Sequence, residues 1–99
     1  MSLAKDFQAQ AVAHAQTAML AHGCPTKRLV ETLQTRGGVE TVRELCRRGR
    51  LSDGFDALQK CGHLELSLEA LVIQGKYGSL FTDEEVNFCL EVLMEAGYF

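Results

Sequence analysis

Ninety-nine residues, 46% of them hydrophobic and 23% charged, are what one ordinary globular domain requires, and two domains of half that size could not each bury a core without covalent staples. No apolar run approaches the roughly 20 residues that cross a bilayer. The formal net charge of −3 conceals a polarised chain. Lys27 to Arg50 holds seven basic and three acidic residues, whereas Leu51 onward holds two lysines and nine acids.

The first stretch, MSLAKDFQAQAVAHAQ, spaces glutamines through its alanines and lacks the continuous apolar core of a signal peptide. A cytoplasmic protein without membrane contact is expected. Helical spacing runs over residues 4–22, with Phe7, Val12, Met19 and Leu20 as large anchors among seven alanines. Such a helix reads as an outer packing element, with dimerisation through its small residues as the alternative.

Glycines punctuate the chain from there to its end. Gly23, Gly37, Gly49, Gly62, Gly75 and Gly97 each close a segment of helical apolar spacing, where a left-handed residue ends a helix. Pro25 suits a first helical position, and Ser52 and Ser67 suit N-caps. Helices are therefore predicted over 4–22, 25–36, 38–48, 52–61, 67–74 and 82–96. No stretch alternates with period two, and no turn separates two strand-like runs. The class is all-α: a compact orthogonal bundle of about six short helices forming one domain over residues 1–99.

The helix over 38–48 buries Val39, Val42, Leu45 and Cys46. Arg43, Arg47 and Arg50 share another face, with Arg48 beside them. After a helix ending in Arg36-Gly37-Gly38, this resembles a helix-turn-helix whose second helix could meet phosphates. Glu40 and Glu44 stand three and four residues from these arginines and partly neutralise the face. Nucleic acid is a possible partner and not the favoured one.

The four cysteines, Cys24, Cys46, Cys61 and Cys89, include no C-x-x-C pair, and reduced thiols are expected in a cytosolic chain. Two short motifs mirror each other, His22-Gly23-Cys24 and Cys61-Gly62-His63. Their two histidines and two cysteines form a tetrahedral zinc set only if both helix ends meet. The usual ligand spacing is absent, so no metal and no cofactor is expected. His14, His22 and His63 could serve as bases, but no nucleophile motif and no phosphate loop accompanies them. No catalytic residue is assigned and no enzyme activity is expected.

Phe81-Thr82-Asp83-Glu84-Glu85-Val86 gathers three carboxylates, and every residue of it suits a helix start. Thr82 and Glu85 form a capping box, Phe81 and Val86 a hydrophobic staple, and the acids occupy the first turn. The helix it opens is apolar around most of its circumference, as is the segment 67–74. These two helices are expected to carry the core and to leave a surplus of apolar surface around Phe88, Val92, Tyr98 and Phe99 for a second chain. A homodimer, or another protein partner, is the expected assembly.

The stretches LSDGFDAL, GHLELSLEALVI, LFTDEE and LMEAGYF, spread over the second half, together resemble a small bacterial all-helical domain family that occurs alone or appended to larger proteins. That resemblance implies the helical fold. The family has no assigned activity, so it supplies no catalytic or binding residue. The function expected is a non-catalytic protein–protein interaction module, with a nucleic-acid accessory role for Arg43, Arg47, Arg48 and Arg50 as the alternative.

Overall fold

The computed structural model describes residues 2–98. Its first helix, α1 (Leu3–His22), starts where the Ser2 hydroxyl accepts from the Lys5 amide at 3.3 Å. Phe7, Ala11, Ala15 and Ala18 recur every three or four residues and form one buried face. Against this face pack α2 (Lys27–Arg36), α3 (Gly38–Arg48) and α5 (Leu68–Val72). The helix packs from the outside as expected, with the opposite face, including Ala9, Ala13 and Leu20, in solvent, and its buried alanines let several helices approach it closely.

Phe7 is the hub of that packing. Tyr77 and Phe81 both meet its ring edge-on, with centroids 5.1 Å away in each case, a geometry favoured by the ring quadrupoles. The Tyr77 hydroxyl donates to Gln10 Oε1 at 2.6 Å and ties the far half of the chain to α1. A Cβ on Gly38 would lie 2.6 Å from the Phe7 ring, so α3 can start against this ring only with glycine there.

Gly37 alone joins α2 to α3. A helix-turn-helix connection takes three or four residues, and this joint is tighter. The start of α2 falls two residues later than Pro25 suggests. Thr26, the residue before it, is buried, and its hydroxyl donates to the Ala15 carbonyl at 2.6 Å rather than capping the helix.

The next helix, α4 (Phe55–Cys61), also begins later than expected. Ser52 does not cap it, because its hydroxyl and amide are both committed to Glu69 on α5. Gly54, at φ 85°, makes the turn instead. Short 3-10 helices, Leu64–Leu66 and Gly75–Leu80, flank α5. Gly75 therefore opens a turn rather than closing one, and its φ is not positive.

Ser67 does cap α5, accepting from the Ala70 amide at 3.1 Å, and all five residues of α5 are buried. The last helix, α6 (Asp83–Glu95), has the reciprocal capping box. The Glu85 amide donates to Thr82 Oγ1 at 3.2 Å, and the Thr82 amide donates to Glu85 Oε1 at 2.8 Å. Phe81 and Val86 pack in the same core cluster, as a staple requires.

Of the two helices expected to carry the core, α5 does and α6 does not. Only Cys89 and Leu93 of α6 are fully buried, because the helix rests mainly on α3 and α5 along one side. Its remaining apolar residues are half-buried or exposed.

The buried side chains form two clusters. The larger surrounds Phe7, Leu33, Val42, Leu71 and Tyr77; the smaller contains Ala18, Cys24, Phe55, Leu58, Leu64, Ala70 and Leu93. Ile73 packs against both. The molecule measures 30 × 27 × 23 Å. No strand occurs among the described residues, and none of their helices is long and apolar enough to cross a membrane.

Candidate partner interface

The apolar surplus on α6 is where hydrophobic surface meets solvent. Phe88 and Val92 stand four residues apart, hence on the same side of the helix, and both are half-buried. Phe88 forms part of a groove of about 500 Å³ between α3 and the start of α6, shared with Arg43, Arg47, Glu84 and Glu85. Val92 lines a smaller groove of about 190 Å³ with Leu51, Phe55, Gln59, Glu95 and Ala96. The two residues thus link two depressions along one strip.

Tyr98, one turn beyond, is 38% exposed, and its amide donates to the Leu93 carbonyl at 3.0 Å. Phe99, the fourth expected interface residue, lies outside the described residues. Two exposed apolar residues were missed in the sequence, Met94 at 61% and Leu51 at 42%. Met94 reads as core from periodicity alone, and Leu51 sits in a connection that carries no periodicity. Leu20 on α1 is more exposed still, at 81%.

The basic patch is assembled and internally paired. Arg47 and Arg48 both bridge to Glu44, Arg48 at 2.7 Å. Arg43 Nε stands 3.6 Å from Glu85 Oε2 on the first turn of α6. Desolvation works against the charge on Glu44, but Arg47 and Arg48 outweigh it and hold that carboxyl below its ordinary value. Arg50 is exposed at the end of this run. Sequence spacing showed the Glu44 pairs; the Glu85 partner came from tertiary packing, and it brings the acidic cap against the basic helix.

The mirrored His-Gly-Cys and Cys-Gly-His motifs converge. Gly23 and Gly62, at φ 66° and 78°, end α1 and α4, and the rings of His22 and His63 stack with centroids 3.9 Å apart and planes 23° from parallel. Stacked rings direct their in-plane lone pairs side by side rather than toward one point. No group of three or more potential ligands among the described residues is arranged to hold a metal ion.

Near this cluster His14 is half-buried, with Nδ1 lacking a hydrogen-bond partner among the described residues. Burial pushes its pKa down, against an opposing pull from Glu65. His63 Nδ1 lies 3.3 Å from Glu65 Oε2.

Cys46 and Cys89 also lie side by side, between α3 and α6. Burial first, and then neighbouring carboxylates, push both thiols up, which makes them poor nucleophiles.

No family model, no curated protein and no solved structure matches this chain.

Proposed function

We propose that this chain is a non-catalytic helical interaction module that pairs with a second copy of itself through the outer strip of α6. The observation that carries this reading is apolar surface beside a groove: Leu51 in solvent next to Val92 in the groove's lining, with Phe88 half-covered one turn before it. A strip of this kind is self-complementary about a two-fold axis, since the groove of one copy can receive the protruding residues of the other. Covering it recovers about 25 cal/mol for each Å² of apolar surface withdrawn from water.

The test is the mass in solution. Light scattering after size exclusion should give twice the 10.9 kDa of the chain, and Leu51→Glu, at an exposed position beside Val92, should return the monomer mass with an unchanged helical circular dichroism spectrum. A mass of 10.9 kDa over a wide concentration range rejects the reading.

The alternative, a nucleic-acid accessory using Arg43, Arg47, Arg48 and Arg50, has less support, because three of these arginines already face carboxylates. Salt-sensitive retention on duplex DNA that Arg47→Glu and Arg50→Glu abolish would favour it.

A further inference from the structure

The mirror relation between the two helix ends has a chemical consequence. In the first motif the thiol follows the glycine, and in the second it precedes it. Cys24 is therefore turned inward, buried among Phe55, Leu58 and Leu64, whereas Cys61 faces solvent at the end of α4. The stacked His22 and His63 rings, each two residues from a thiol, clamp the ends of α1 and α4 together. The Cys24 thiol donates to the His22 carbonyl at 4.0 Å and the Cys61 thiol to the Leu58 carbonyl at 3.5 Å, at the two helix ends that the stacked rings hold together, and Cys61 is near enough to push the Cys24 thiol up.

We infer that Cys61 and Cys24 form a reversible disulfide, with Cys61 the site of attack on a small-molecule disulfide such as oxidised glutathione and Cys24 the residue that resolves the adduct. In the first step the Cys61 thiolate attacks one sulfur of oxidised glutathione. The S–S bond of glutathione breaks, and one glutathione thiolate leaves and takes up a proton equivalent to the one Cys61 released. In the second step Cys24 loses its proton to water and attacks Cys61 Sγ. The mixed disulfide breaks, and the second glutathione thiolate departs and is protonated. Two protein thiols are oxidised by two electrons in all, and one glutathione disulfide is reduced to two thiols.

The order of events follows from exposure. Only Cys61 is open to a solution reagent, while burial and the adjacent Cys61 push the Cys24 thiol up and keep it from reacting first. The bond closes a loop that holds α2, α3 and α4. The other adjacent pair, Cys46 and Cys89, has no fully exposed member and provides an internal control.

The experiment incubates the folded 99-residue chain with oxidised glutathione, quenches with acid and maps the products by tryptic mass spectrometry. The expected product joins peptide 6–27, which carries Cys24, to peptide 61–76, which carries Cys61, and thiol reductant reverses it. The linkage should form at least tenfold faster in buffer than in 8 M urea.

Cys24→Ser should accumulate a glutathione adduct on Cys61 that the unaltered chain does not retain. Cys61→Ala, a change at an exposed position, should leave Cys24 unmodified under the same conditions. A persistent Cys61 adduct in the unaltered chain, a Cys46–Cys89 linkage formed in its place, equal rates in urea, or no reaction overturns the inference.

Discussion

Ser52 holds both oxygens of the Glu69 carboxylate. Its amide donates to Oε2 at 2.8 Å and its hydroxyl to Oε1 at 2.6 Å, and Glu69 is only 3% exposed. This pairing fastens the connection after α3 onto α5, the most deeply buried helix of the fold. Burial pushes the Glu69 carboxyl above its ordinary value, and the bonds from Ser52 offset part of that.

The pairing makes stability depend on pH with a definite sign. A carboxyl whose pKa is higher in the folded than in the unfolded chain stabilises fully below its ordinary value near 4.5. That contribution declines as pH rises toward the folded value, because the native state binds more protons over this interval. Glu69→Gln removes the charge while its carbonyl oxygen still accepts from the Ser52 amide and its amide nitrogen donates to the Ser52 hydroxyl in place of the bond that hydroxyl donated. Urea midpoints should therefore shift in favour of Glu69→Gln as pH rises above 4.5, and then level off. A difference that stays flat with pH contradicts this. Glu69→Ala should cost about 3 kcal/mol, because the Ser52 amide loses its acceptor in a buried site.

Thr82→Ala should lower stability by about 1 kcal/mol through loss of the cap on α6. Glu85 has two roles, capping Thr82 and facing Arg43. Glu85→Gln retains the capping geometry and loses only the ion pair, so it should cost less than about 0.5 kcal/mol. In a double-mutant cycle, Thr82→Ala with Glu85→Ala should be less destabilising than the sum of the single changes. Strict additivity would separate the two residues energetically.

Gly38→Ala tests the contact at the start of α3. The added methyl would meet the Phe7 ring at 2.6 Å, and Phe7 is already held by Tyr77 and Phe81. Overpacking of this kind costs about 1–3 kcal/mol, although alanine is the better helix former. Thermal melts should show the loss. The same change at Gly75, where a Cβ meets nothing within 4 Å, should be close to neutral.

If the Cys24–Cys61 bond forms, it closes a loop of about 40 residues, and the chain-entropy relation gives roughly 4 kcal/mol of added stability. Denaturation of the oxidised chain should show a higher urea midpoint, and reductant should abolish the increase.

The residues that sequence reading assigned well are those whose partners are local. The capping box at Thr82 and the Glu44 pairs span three or four positions, so spacing alone reveals them. Ser52 read as a cap because its partner, Glu69, lies 17 positions away, and no local rule connects them. The packing role of α1 was legible in its alanine spacing, but which helices would meet its buried face was not, since partners such as α5 lie far along the chain. Periodicity found the apolar surplus of α6, but which of its residues stay in solvent depends on how α3 and α5 lie against it. The mirrored His and Cys motifs were visible, and their meeting was not, since it depends on where two helices end.

Ile73 gives the two halves of the interior a common fate. It is only half-buried, yet it touches the cluster around Phe7 and the cluster around Phe55. Amides in α2 and in α4 should therefore exchange with solvent hydrogen through the same global opening, with similar protection, rather than as separate folding units. Ile73→Ala should break that equality before it unfolds the chain, and α4, on the smaller cluster, should lose protection first.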